Sequence, residues 1–324
     1  MKPDRHFTSL EHRRKRLSRH FELVNANQRR THGFGGQPLK RLSWENLWQF
    51  LRLQTYPHYW GSPPKWRIRL RQLTGPRGLP DFIVVGPMKA GTSDLYTTLL
   101  LHPNIMTPLA KEFFIPSLDR FRDFYPTQRA IREHQKRHGP ALCPYFIAGL
   151  EHPEQIQFLS TLSPRRKLII TLRNPVDRFY SHWKWEVFLA GQQTVERLAV
   201  LQRFDAFVDA ALDIFPSWLV IRTAPPLHTS IYCTWVAQWI ENFGRDNVLV
   251  LNVDDYFSER DACLRQIQEF VGLPYFSTPP FSQRINENPL KLPGPDAASV
   301  LKLKKFYEPY NQKLFEIIGK QFPW

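Results

Sequence analysis

The sequence predicts an α/β protein, with helices on both sides of a central parallel sheet of about five strands. Three observations predict it. The stretch DFIVVGPMKAGTSDL, Asp81 to Leu95, runs from an apolar β-branched segment through a loop holding Gly86 and Gly91 into the helix-length LYTTLLL. KLIITLRNPVDRFYSHW, Lys167 to Trp183, repeats that order, with Asn174 as cap and Pro175 at the first helical position. Beyond Thr229, helical spacings and the apolar run NVLVLNVDDY continue to alternate, which is the pattern of strands laid parallel by helical crossovers.

Each element has its local signal. Met1 to Lys40 is polar and basic, and EHRRKRLSRHFELV is its one stretch with helical spacing. Ser43 caps an expected short helix, WENLWQFLRL. The Pro/Gly-rich YWGSPPKW and TGPRGLP mark a linker, so residues 1–75 are expected to form a basic extension and 76–324 the domain. After the first helix, HPNIMTPLAKEFFIPSL returns to the sheet as irregular chain. Helical spacing resumes from Glu154, in TSIYCTWVAQWIENFG up to Gly244, in ACLRQIQEFVGLP up to Gly272, and from about Ala297 to Gly319.

The first strand–loop–helix is P-loop-like, because the unpaired N–H groups and the dipole of a helix N-terminus favour a phosphate there. The two glycines have the Walker spacing, but Thr92 stands where the nucleotide-binding lysine belongs, and Lys89 sits inside the loop instead. That departure argues against ATP or GTP hydrolysis; a nucleotide or small-molecule kinase is the enzymatic alternative. Arg173 leaves the carboxyl end of a second strand and Ser181 follows two turns into the next helix. A guanidinium with a hydroxyl can hold a second phosphate on the same edge. Glu112, between Lys111 and two phenylalanines, is a candidate general base, and His182 is a rival for proton transfer. Trp183, Trp185, Trp235 and Trp239 fit helix packing, with stacking on a base as the alternative.

GPMKAGTSDLYTTLLLHPNI with KLIITLRNPVDRFYSHW resembles the paired signature of sulfotransferases that use 3'-phosphoadenosine 5'-phosphosulfate (PAPS). The likeness continues through SIYCTWVAQWIENFGRDNVLVLNVDDYF and QEFVGLP to the final FYEPYNQKLFEIIGKQFPW, and is nearest to the heparan sulfate and carbohydrate branch with its bacterial homologues. It implies sulfuryl transfer to a hydroxyl, less readily an amine, of a carbohydrate or other small acceptor. Lys89, Ala90, Gly91, Thr92 and Ser93 would hold the 5'-phosphosulfate, Arg173 and Ser181 the 3'-phosphate, and Glu112 would act as base, with PAP as product and no metal. Three departures stand out. Phe113 follows Glu112 directly, Ala141 and Leu142 replace an acidic element before Cys143-Pro144, and RINENPLKLPG offers only Arg284 and Lys291 for a basic closing loop.

A length of 324 residues with 42% hydrophobic content supports a substantial core. The net charge of +15 is uneven: residues 1–80 hold 17 Lys/Arg against 4 Asp/Glu. A binding function through the extension, to nucleic acid or a membrane surface, is therefore the non-enzymatic alternative. An anionic membrane or acidic polymer on residues 1–40 is the expected partner, without specific nucleic-acid recognition. Cys143, Cys233 and Cys263 form no metal or disulfide spacing, and no apolar run is long enough to span a bilayer. The expected location is cytoplasmic, with peripheral membrane attachment as the variant.

Overall fold

The computed structural model of the protein describes residues 63, 65–113, 117–162, 166–190, 200–217, 219, 224–278, 288 and 290–324. In chain order its elements are α1 (Lys65–Gln72), β1 (Phe82–Gly86), α2 (Thr92–Leu99), α3 (Leu118–Arg122), α4 (Gln128–His138), β2 (Pro144–Ala148), α5 (Pro153–Leu162), β3 (Lys167–Leu172), α6 (Pro175–Ala190), α7 (Phe204–Asp213), α8 (Cys233–Phe243), β4 (Val248–Asn252), α9 (Val253–Ser258), α10 (Arg260–Phe270) and α11 (Ala297–Ile318). The helices expected within residues 1–53, and Arg284, lie outside the described residues.

The sheet is wholly parallel, in the order β2-β1-β3-β4. Among the described residues it has four strands, in keeping with the sheet of about five expected. The segment returning after α2 is irregular, as expected, and adds one isolated bridge, Ile105 to Leu142; Pro103 and Pro108 withhold the N–H groups that a ladder needs. The run NVLVLNVDDY is shorter as a strand than its pattern suggests. It stops at Asn252, whose side chain accepts from Asp254 N at 3.4 Å and starts α9.

Side chains alternate across the sheet as a pleat requires. Ile83, Val85, Tyr145, Ile147, Leu168 and Ile170 face one core with Ile156 and Leu159 of α5, Val236 and Trp239 of α8, and Leu314 and Ile318 of α11. Phe82, Val84, Phe146 and Ile169 face the other, against Leu95 and Leu99 of α2 and Leu264 and Ile267 of α10. Both faces are therefore covered. A third cluster joins Phe179 and Trp183 of α6 to Phe207 and Val208 of α7 and to Leu303 and Tyr307 of α11.

The expected boundary at residue 75 falls just after α1, and α1 is bonded to the domain. Arg71 donates through Nε to Asp123 O at 2.5 Å and through Nη2 to Tyr125 O at 2.6 Å, and Gln72 Nε2 donates to Asp123 Oδ2 at 2.7 Å. A chain starting at Gly75 loses these three bonds, each worth about 1 kcal/mol. Its melting temperature should fall several degrees below that of a chain starting at Lys65, at about 2–4 °C per kcal/mol. Equal melting temperatures would show that α1 is dispensable.

Candidate active site

The parallel sheet sends the loops after β1, β2 and β3 to one edge, where a ligand of an open α/β sheet binds. The loop after β1 is tight. A Cβ on Gly86 would lie 2.2 Å from Thr171 Oγ1, and one on Gly91, which has φ +73°, would lie 2.5 Å from Val253 Cγ2. Lys89 itself holds φ +75°, a conformation that costs a side-chain-bearing residue energy and clusters at functional sites. Among the described residues no hydrogen bond is made by the N–H groups of Gly91, Thr92 and Ser93. They stand at the start of α2, as an anion cradle requires.

Two arginines hold this loop from the β3–α6 side. Arg173 Nη1 donates to Lys89 O at 3.3 Å, and its Nε is buried without a partner. Arg178, fully buried, donates through Nη1 to Met88 O at 3.1 Å and through Nε and Nη2 to Ser230 Oγ and Pro226 O. Lys89 Nζ lies 4.4 Å from the centre of the Trp185 ring. Burial, with the charges of Arg173, Lys184 and Arg178, pulls its pKa down to about 8. Lys89, Arg173 and Arg178 form no ion pair within 4.0 Å among the described residues. The edge thus collects three cations that no carboxylate pairs directly among the described residues.

His182 has a different setting from the one its place beside Ser181 suggested. It is fully buried on α6, and its Nδ1 stands 3.1 Å from Arg178 Nη1 while Nε2 stands 3.3 Å from Glu186 Oε1. Because arginine can only donate, Nδ1 accepts and Nε2 carries the proton to Glu186. Burial drives its pKa down to about 4, so the ring is neutral at pH 7. Ser181 is half-buried on the same helix.

Glu112 is partly exposed and ion-paired with Lys111, which is buried and lies 3.4 Å from Thr92 Oγ1. The irregular segment therefore does bring this carboxylate to the start of α2. Lys111 had no periodic signal; the clue was a lysine inside an otherwise apolar return segment. A second missed residue is Glu151. Gly149 N donates to Gly86 O at 2.8 Å, which sets the turn after β2 beside the glycine loop. There Glu151 accepts from Leu150 N at 2.8 Å and Thr229 Oγ1 at 3.2 Å, with no ion pair within 4.0 Å among the described residues. Ala141 to Pro144, by contrast, lie at the opposite edge, where Cys143 N donates to Asp81 Oδ2 at 2.7 Å. Lys291 is exposed. Asp94 is turned away from the loop, accepting from Tyr256 Oη at 2.7 Å and Arg260 Nη1 at 2.9 Å. No cluster of three or more His, Cys, Asp or Glu able to hold a metal occurs among the described residues.

Residues 79–287 match the family model described as a sulfotransferase domain. The chain belongs to the sulfotransferase family. That match gives no support to the kinase alternative. Mouse carbohydrate sulfotransferase 15 is 24% identical over 76% of this chain and 55% of its own length, so the chain spans about half of that relative. Human heparan sulfate glucosamine 3-O-sulfotransferase 5 is 25% identical over 85% of this chain and 82% of its own. Among solved structures, a sulfotransferase from Alicyclobacillus acidocaldarius superposes with a TM-score of 0.52 at 20% identity, covering 76% of this chain and 98% of that one. The fold is therefore the sulfotransferase fold.

Proposed function

We propose that this sulfotransferase moves a sulfuryl group from PAPS to a hydroxyl of a carbohydrate acceptor by in-line displacement. The observation that carries the reading is the loop 86–93. Its unpartnered N–H groups, with Lys89 and the orphaned Nε of Arg173, fit a donor bearing phosphates at two ends. When bound, PAPS supplies an activated sulfuryl group on a phosphate leaving group. Lys89, Ala90, Gly91, Thr92 and Ser93 hold the 5' end, while Arg173 and Ser181 take the 3'-phosphate. The Lys89 ammonium stabilises negative charge developing at the leaving oxygen, as in phosphoryl transfer. Glu112 takes the proton of the acceptor hydroxyl, and Lys111 positions that carboxylate beside Thr92. Glu151, fixed by its own bonds, accepts from acceptor hydroxyls. His182 positions Arg178, and through it the loop at Met88.

The printed names of the relatives, carbohydrate and heparan sulfate glucosamine sulfotransferases, support a saccharide acceptor. Three free thiols fit a reducing, cytoplasmic setting, and the basic stretch 1–40 remains the proposed contact for an acidic polymer or membrane surface.

The test is a thermal-shift comparison of nucleotides. PAP and PAPS should stabilise the protein by about 2.7 kcal/mol at a hundred times their dissociation constant, and AMP, ADP and ATP by far less at equal concentration. Arg173→Ala should erase the difference between PAP and AMP. Equal shifts for all five nucleotides in the parent protein would remove the PAPS assignment. The pH dependence carries a sign. Lys89 in the free protein titrates at about 8, and a bound phosphate raises that value, so binding takes up a proton above pH 8. PAP affinity should be insensitive to this group below pH 8 and fall by up to about tenfold per unit above it.

A further inference from the structure

A cleft of about 380 Å³ opens beyond the amino end of β1, lined by Arg71, Arg77, Arg120, Arg122, Asp119 and Asp123 among others. The five residues of β1, about 17 Å of strand, separate it from the glycine loop at the carboxyl end. Two of its arginines are fixed by main-chain oxygens. Arg71 bonds Asp123 O and Tyr125 O, and Arg77 Nη1 donates to Tyr125 O at 2.7 Å while its Nε and Nη2 reach Arg71 O at 3.1 and 2.9 Å. Carbonyls orient a guanidinium but leave its charge uncancelled. The nearby Asp123 carboxylate accepts from Gln72, and none of the four arginines has an ion pair within 4.0 Å among the described residues. Arg122 Nε is buried with no hydrogen-bond partner. Burial above all, with repulsion from Arg77 and Arg67, pulls the Arg71 pKa down to about 10, and the nearby Asp123 offsets part of that shift.

The surroundings reinforce the sign. Residues 65–77 carry five Lys/Arg and no acid, and residues 118–138 carry six against three. A purely structural brace explains Arg71 and Arg77. It does not explain Arg120 and Arg122, which leave four arginines facing two carboxylates in the lining, since like charges held together at low dielectric cost energy.

We infer that this cleft is a second saccharide site, which holds an already sulfonated stretch of a polysaccharide while the opposite edge of the sheet carries out transfer. The lining decides the occupant. Among the described residues it has no aromatic ring for a nucleobase to stack on. Asp119, Asp123 and Gln72 stand among the arginines, so the wall offers acceptors for hydroxyls as well as cations for sulfo groups. A ligand dense in phosphate alone would meet two carboxylates without use for them. A sulfated sugar chain carries both kinds of group, and it is the product chemistry of the reaction proposed above, on which this inference rests.

The test uses the full chain and short dextran sulfate, with neutral dextran and polyphosphate of matched length as comparators. Arg120 is exposed and Arg122 partly so, which makes Arg120→Ala and the Arg120→Ala/Arg122→Ala pair compatible with folding. Dextran sulfate should bind and neutral dextran should not. The double variant should weaken dextran sulfate at least about tenfold and lower the slope of log affinity against log salt by about one unit per arginine engaged; Arg120→Ala alone should act in the same direction, with PAP affinity and melting temperature unchanged. Unchanged dextran sulfate binding in the double variant overturns the site and moves the contact to the basic extension. Polyphosphate binding as tightly, with the same dependence on Arg120 and Arg122, overturns its saccharide character. Dextran sulfate binding through these arginines in a protein that ignores PAP would keep the site and remove only the PAPS reading.

Discussion

Lys89→Ala lowers turnover by at least about a hundredfold, because a preorganised charge at a developing oxyanion is worth about 3–4 kcal/mol of barrier. Three features of the structure make this lysine hard to replace. Its backbone holds a positive φ, its ammonium rests against Trp185, and its neighbours are cations. In the free protein, charge on Lys89 is opposed by Arg173, Arg178 and Lys184, so the ammonium is fully favoured only once an anion arrives. Lys89→Arg keeps a cation but spreads it over a plane, and should recover only part of the lost rate. The measurement is single-turnover transfer with saturating donor, alongside the PAP-induced thermal shift. That shift should shrink without vanishing, since Arg173 and the α2 N–H groups remain. Near-normal turnover in Lys89→Ala would remove the loop from the chemistry.

Glu112→Gln should cut the rate by about 10²- to 10⁴-fold, the worth of a positioned base, while PAP affinity stays nearly intact. The substitution also removes the Glu112 carboxylate from the buried Lys111 ammonium and so lowers stability. Rate and stability must therefore be read apart. The pair Glu112→Gln/Lys111→Met should regain most of the melting temperature and none of the rate. Glu151→Gln is the informative comparator and should mainly raise the Michaelis constant for the acceptor. If Glu112→Gln kept wild-type turnover and Glu151→Gln lost it, the base would be Glu151, the carboxylate with no ion pair within 4.0 Å among the described residues. His182→Ala should act through Arg178, and so loosen donor binding more than it slows transfer.

The strand–loop–helix at Asp81 to Leu95 was fully legible because its determinants are local: a β-branched run, two glycines at fixed spacing, and a helix start. The same holds for Asn174 and Pro175, where Val176 N donates to Asn174 Oδ1 at 3.0 Å. Lys111, Arg178 and Glu151 were not legible, since each owes its place to contacts with residues far along the chain, as Glu151 does with Thr229. The resemblance singled out the element before Cys143 only as a departure, with Ala141 and Leu142 in place of an acidic residue. In a parallel sheet the relevant end of β2 is the far one, after Ala148, and only the register against β1 reveals which residues those are. The four strands among the described residues agree with the sheet of about five that alternation suggests. Alternation counts segments that could pair, whereas the prolines after α2 leave Ile105 as a single bridge.

Arg178 gives one guanidinium to Met88, His182, Pro226 and Ser230. Three stretches that are strangers in the sequence thereby share a single buried charge, and none can drift alone. A smaller side chain at 230, a slip of the loop at 88 or an added charge at 182 would each leave that cation short of an acceptor in a place water cannot reach. Positions 88, 178, 182, 226 and 230 therefore form one structural unit, to be transplanted whole or left alone when loops are exchanged between proteins of this fold.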